Sequence, residues 1–272
     1  MQVENQGERM DFVARNIFTA LVVVLPMSTA FAQGVGVSAQ NPTNSVAVAL
    51  HDKDAYLHQQ YSPDTLPKNV FDAITQHGAK PVGFKRISIE SKVVVDKMGV
   101  AVPVSSESES IYENAGNGFV RQVGVTKLNG FEQSYFFALN YRGVMALRAQ
   151  GISVNATTMP PIADTISVNH IDGSVEGSHF SYAATETTNM PGSATIEVRY
   201  DCSAGKSYPA SQINPMIQGP AHDVECHSLN VNGVVIGITR YGYLEKYGVA
   251  VLIHSKNPSL ETSKTVTSFK EE

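Results

Sequence analysis

A chain of 272 residues with 20 Lys and Arg against 25 Asp and Glu carries a formal charge of −5, spread thinly along its length. Without a basic stripe to neutralise phosphates, nucleic acid is not expected as a partner. The length suffices for one large domain with a proper core.

Residues 1–32 read as a secretory leader: Arg9 and Arg15 precede an apolar run from Ile17 to Leu25, and Ala30-Phe31-Ala32 supplies small residues for cleavage. Met10 to Ala32 would serve as a leader by itself. The run is shorter than the ~20 residues that cross a bilayer, and no later segment is apolar enough to span as a helix. An exported soluble protein is therefore expected, periplasmic or extracellular. Once the leader and its Glu4, Glu8, Arg9, Asp11 and Arg15 are removed, the net charge is −4.

Residues 33–62 begin rich in Gly, Ser and Asn and are expected as a flexible segment ahead of a single β-rich domain over 63–257. A helix is expected from Pro67 to His77. Pro67 suits the first helical position, Val70, Phe71 and Ile74 share one face, Gly78 suits the C-terminal cap, and Pro81 forbids continuation. From Phe84 onward short runs of β-branched and aromatic residues alternate with turn signals. Asn129-Gly130, Asp172-Gly173 and Asn232-Gly233 are candidate two-residue hairpin turns, since these residue types tolerate positive φ. Such turns set Lys127 opposite Glu132, His170 opposite Val175, and Glu225 opposite Arg240, the first and last being favourable charge pairs. The expected fold is mainly β: a curved antiparallel meander sheet or partly closed barrel with one N-terminal helix. Residues 258–272 are expected as a polar tail, frayed beyond Pro258.

Cys202 and Cys226 are the only cysteines, and in an exported chain they are expected to form a disulfide. The bond would tie two strands while the residues between them loop out, and contributes on the order of 3 kcal/mol. Tyr208, Ile213, Met216 and Ile217 give that loop apolar material, to plug the sheet or to touch a ligand.

The motif search yields no catalytic signature. The phosphate-loop reading of "AGKS" fails because Tyr200 stands where a glycine is required and Pro209 follows. Asp223, Glu225 and His227 fall on one strand face and form a candidate metal or hydrolase group, with Arg240 opposite Glu225 as a competing ion-pair partner. His170 and His179 start roughly 13 Å apart, too far to share a metal. "HDKD" at His51 to Asp54 reads as a solvated turn, and Glu107 with Glu109 as an exposed acid pair. The nucleophile elbow and the His-Glu-x-x-His helix are both missing.

These features favour an exported, non-enzymatic binding protein for an apolar or amphipathic, lipid-like molecule or an envelope protein, with no cofactor. Arg240, His227 and Glu225 are its candidate polar contacts, with Tyr208 and Met216 in the covering loop. A secreted hydrolase or metalloenzyme using Asp223, Glu225 and His227 is the alternative, and a structural or assembly protein of the envelope the third reading.

Overall fold

The computed structural model describes residues 45–76, 81–173, 177 and 179–272. The expected leader, residues 33–44, His77, Gly78 and Val175 lie outside them.

Period-two burial organises the chain. In β1 (Arg86–Lys97) Ile87, Ile89, Val93 and Val95 are buried while Glu90 and Lys92 between them are exposed, because successive side chains on a strand point to opposite faces. Eleven strands follow: β2 (Val104–Asn114), β3 (Phe119–Leu128), β4 (Phe131–Tyr141), β5 (Met145–Ser153), β6 (Ala163–Gly173), β7 (His179–Thr188), β8 (Ile196–Pro209), β9 (Pro220–Leu229), β10 (Val235–Leu244), β11 (Val249–Asn257) and β12 (Leu260–Glu271). Each pairs antiparallel with its neighbour in the chain, and β12 returns to β1, closing a twelve-stranded barrel. The mainly β meander is as the sequence indicates, with closure complete rather than partial.

The supposed frayed tail is what closes it. Thr262, Lys264, Val266 and Phe269 of β12 alternate inward and face Val95, Val93, Ser91 and Ile89 of β1. The alternation is hidden in the sequence because half of the inward residues are polar.

Among the described residues the N-terminal region holds three α-helices where one was expected: α1 (Val46–His51), α2 (Lys53–Gln60) and α3 (Lys68–Thr75). The first two lie within the segment expected to be flexible. Ser45 Oγ accepts from the Val48 N–H (3.2 Å), and Asp52, read as part of a solvated turn, caps α2 by accepting from the Ala55 N–H (3.0 Å). Their weak helical patterning conceals them; aromatic contacts to the barrel hold them instead. Tyr56 and Tyr61 pack on Phe137 with ring centroids 5.1 and 6.0 Å away, and both hydroxyls donate to Gln150 Oε1. Pro67 sits one position before α3, at its cap, and Phe71 stacks on Phe119 at 5.5 Å.

Of the three expected turns, one forms as drawn. Asn129 and Gly130 have φ of 53° and 81°, and Lys127 faces Glu132, although the Lys127 ammonium reaches Glu109 at 3.5 Å. Asp172 and Gly173 are themselves part of the strand, paired with Ser181 and Phe180, and His170 faces Ala183 instead of Val175. The Asn232-Gly233 turn is a longer loop in which the Asn230 N–H donates to the Val234 carbonyl (3.0 Å). A bulge between Val235 and Gly237 absorbs the difference, so Glu225 still faces Arg240.

Cys202 and Cys226 are bonded and directly opposite each other on β8 and β9. The intervening residues do not loop out: pairing continues through Tyr208↔Ala221 and Pro209↔Pro220, leaving only 210–219 irregular.

Two junctions in the barrel are thin. β5 and β6 pair only at Arg148↔Asp164 and Ala149↔Ala163, and β11 and β12 only from His254↔Ser263 to Asn257↔Leu260. An asparagine fills each gap in place of a strand. Asn69 of α3 donates to the Ile166 carbonyl and Asn214 of the 210–219 segment to the Val266 carbonyl, both at 3.0 Å, satisfying acceptors that a full ladder would have used.

Candidate ligand cavity

Because the strands run up and down, their links collect at two ends. One end is filled. There Arg142, itself buried, donates from its N–H to the Gly118 carbonyl (2.9 Å) and from Nη1 to the Tyr243 hydroxyl (2.8 Å), while its carbonyl accepts from the Ala250 N–H (2.9 Å). Ala210 and Ile217 from the 210–219 segment join Leu244, Tyr247, Val249 and Phe269 in the same buried cluster, and the Tyr247 and Phe269 rings lie 5.2 Å apart. We call this end the base.

The opposite end, the mouth, carries nine of the eleven exposed large apolar side chains among the described residues. Met98, Val102, Phe131, Met190 and Val231 stand on or directly beside four separate links and are each more than half exposed. Isolated exposed apolar residues need no explanation, but their concentration at one end does.

Between the ends lies a cavity of about 260 Å³. Its wall is the inward-facing alternate set from nearly every strand. Val93, Val95, Val104, Phe136, Leu252 and Val266 supply apolar surface, and Ser91, Ser106, Ser108, Thr126, Ser134 and Ser255 supply hydroxyls. Toward the base, Asn140 Nδ2 donates to Gln122 Oε1 (3.1 Å) and Gln122 Nε2 to the Tyr112 hydroxyl (3.4 Å). Tyr182 and Tyr200 stack at 4.5 Å on the far wall, and the Tyr200 hydroxyl donates to Glu186 (3.3 Å).

The electrostatics are those of a dry interior. Burial raises the Tyr112, Tyr182 and Tyr200 hydroxyls well above their ordinary value and takes Tyr241 to about 12. The Glu186 carboxyl is pushed up to about 7 by burial, against the opposing hydrogen bond from Tyr200. Lys264 is the one charged residue on the cavity wall among the described residues, and burial alone lowers its ammonium to about 8.

The helices cover the opposite face of the sheet. Phe136 lines the cavity while Tyr135 and Phe137 on either side of it belong to the cluster that holds the helices, so the helical layer packs outside the barrel. The same alternation decides where the sequence-derived candidates stand. On β9, Val224, Cys226 and Ser228 point inward, which places Asp223, Glu225 and His227 on the outer surface. The three share a face as expected, but Asp223 accepts from the Tyr208 hydroxyl (2.7 Å) and Glu225 meets His227 at 2.9 Å rather than Arg240. Arg240 is exposed on the same outer side, and Met216 is half exposed at the base. Among the described residues no three His, Cys, Asp or Glu side chains converge as a metal site.

Sequence reasoning missed the cavity wall for a specific reason. Along Ser105 to Ser110 the acids Glu107 and Glu109 face out toward Lys127, and Ser106, Ser108 and Ser110 are the inward set. Period-two spacing exposes both sets equally. What was lacking was the knowledge of which face is concave.

No protein-family model and no curated protein matches the chain significantly. Among solved structures it is similar to a beta-barrel-like protein of the domain of unknown function DUF1849 from Brucella abortus, at 7% identity, TM-score 0.41, over 70% of this chain and 99% of that one. A DUF1329 family protein from Desulfovibrio piger is similar at 9% identity and TM-score 0.36, over 74% and 89% of the two chains. A LolA superfamily protein from Nitrosomonas europaea is similar at 7% identity and TM-score 0.34, over 74% and 93%. The functional reading rests on the geometry of this chain.

Proposed function

We propose that the chain is an exported, non-enzymatic binding protein that holds an apolar or amphipathic, lipid-like molecule inside its barrel and receives it through the mouth. The observation that carries this reading is the cavity itself. It is closed at the base by packed side chains, rimmed at the mouth by exposed apolar residues, and walled by apolar groups interspersed with hydroxyls. A mostly apolar hollow with a few convergent polar groups is the usual form of a small-molecule site. Its volume of about 260 Å³ lies just under the ~300–1,000 Å³ of ordinary ligand pockets, which favours a small or single-tailed occupant. The disulfide between Cys202 and Cys226 supports passage through an oxidising compartment, in keeping with the leader read from residues 1–32. The polar end of the ligand is not assigned to Arg240, His227 or Glu225, since these side chains stand outside the barrel.

Native mass spectrometry of the protein exported into an oxidising compartment, compared with the denatured sample, tests this. A releasable extra mass in the range of a small lipid is the expected result. A co-purifying protein in place of a small molecule would favour the envelope-partner reading. A bare monomer that also fails to take up N-phenyl-1-naphthylamine, an uncharged apolar fluorophore, would overturn the proposal.

A further inference from the structure

Lys264 stands out on the cavity wall. It lies on β12 opposite Val93 of β1, and the neighbouring inward residues on the two strands are Thr262, Val266, Ser91 and Val95. Ser106 of β2, which faces Val93, continues the row. None of these is acidic, and none of the described ion pairs or side-chain hydrogen bonds involves the Lys264 ammonium. The side chain is half-buried and lines the cavity. A cation set into a wall of apolar side chains, hydroxyls and amides costs stability unless something occupies it.

We infer that Lys264 is the headgroup anchor of the cavity and that its ligand is a small anionic amphiphile, a carboxylate or phosphate head on a single apolar tail. This deepens the binding reading above and rests on it. The head would meet the Lys264 ammonium and the hydroxyl of Ser106. The tail would run along Val93, Phe136 and Leu252 toward the base. An ammonium serves as a compact point charge with three donors, so it suits either head chemistry. Lys264 lies four positions into β12 from the mouth end, so the head rests near the mouth and the tail deeper, the order in which a molecule extracted tail-first would arrive.

Binding of dodecanoate, its uncharged amide and inorganic phosphate, each measured by displacement of N-phenyl-1-naphthylamine from the mature chain, tests the assignment. The variants are K264M, which keeps the bulk and removes the charge, and K264R, which keeps the charge. Dodecanoate should bind wild type and K264R alike and K264M roughly 10- to 100-fold more weakly, as for loss of a charged hydrogen-bond partner, while the amide changes by less than about threefold. In wild type the dodecanoate affinity should fall by on the order of tenfold as pH rises through about 8, and K264M should be flat. The residues lining the wall beside Lys264 from β1, β2 and β11 are not titratable; Glu186, the interior carboxyl with a shifted range, is on β7 across the barrel. Fluorophore uptake by both proteins with dodecanoate affinities within about twofold would overturn the anchor and leave the cavity reading intact. Uptake by neither would overturn both. Displacement by phosphate alone, at a concentration where the amide also competes in K264M, would mark a free-anion site and overturn the amphiphile assignment.

Discussion

The two ends of the barrel are made from the same antiparallel links and finish in opposite states. At the base, described links reach inward: Arg142 spans from Gly118 to Ala250, and the 210–219 segment drives Ala210 and Ile217 into the gap that β11 and β12 leave. At the mouth the links are short or splayed, and Met98, Val102, Phe131 and Val231 face outward. The lesson is that hairpin chemistry determines where a strand turns, whereas long-range contacts determine whether the turn becomes a plug or a rim. Stability should therefore concentrate at the base and ligand access at the mouth.

The sharpest way to break this contrast uses one glycine from each end. Gly143 at the base has φ of 73°, and a Cβ there would collide with the Ala250 carbonyl oxygen; Gly130 at the mouth has φ of 81° and open space around it. Gly143→Ala is expected to cost roughly 2–4 kcal/mol, from backbone strain together with displacement of a buried strand. Gly130→Ala should cost only about 1 kcal/mol, the strain alone. Urea unfolding of both variants decides it, and equal losses would remove the distinction between the ends.

A second comparison asks how far the dry interior extends from base to mouth along β7. Glu186 titrates near 7 when folded against an ordinary value of 4.5, so between those values the folded chain holds a proton that the unfolded chain has released. Stability contributed by the neutral carboxyl is thus present at low pH and lost as pH rises toward 7. Between pH 5 and 8, wild type should lose roughly 1–3 kcal/mol more than E186Q. Parallel pH profiles for the two proteins would mean that water reaches Glu186.

The smallest effect on stability is expected at the rim. The double variant M98S/V102S removes exposed side chains and should leave the unfolding midpoint within about 0.5 kcal/mol of wild type. Its uptake of N-phenyl-1-naphthylamine should nevertheless be slowed at stopped-flow resolution, with the equilibrium affinity unchanged. An unaltered rate would deny the rim any role in access.

Local rules read well wherever a few neighbouring residues decide the outcome. Asn129-Gly130 produces its tight turn because both residue types accept positive φ, and Glu225 faces Arg240 even though the loop between them is longer than two residues. The α3 helix follows from Val70, Phe71 and Ile74 at helical spacing. Where the inside of the barrel is itself half polar, the same rules fail. β12 looks like a solvated tail because Thr262 and Lys264 stand where a core strand would carry valines. Likewise α2 has little amphipathic pattern and is identified only by the Tyr56, Tyr61 and Phe137 ring contacts, which join residues far apart in the chain.

Alternation, turn chemistry and the paired cysteines determined by themselves an antiparallel β fold with one cross-strand bond, and these are matters of neighbouring residues and backbone sterics. Only the tertiary structure decided which of two equally spaced faces is concave. That choice put Ser106, Ser108 and Lys264 inside and Asp223, Glu225, His227 and Arg240 outside. The physical reason is closure: a strand's period of two assigns residues to two faces without naming either, and a face becomes an interior only when β12 meets β1, 160 or more residues along the chain from it.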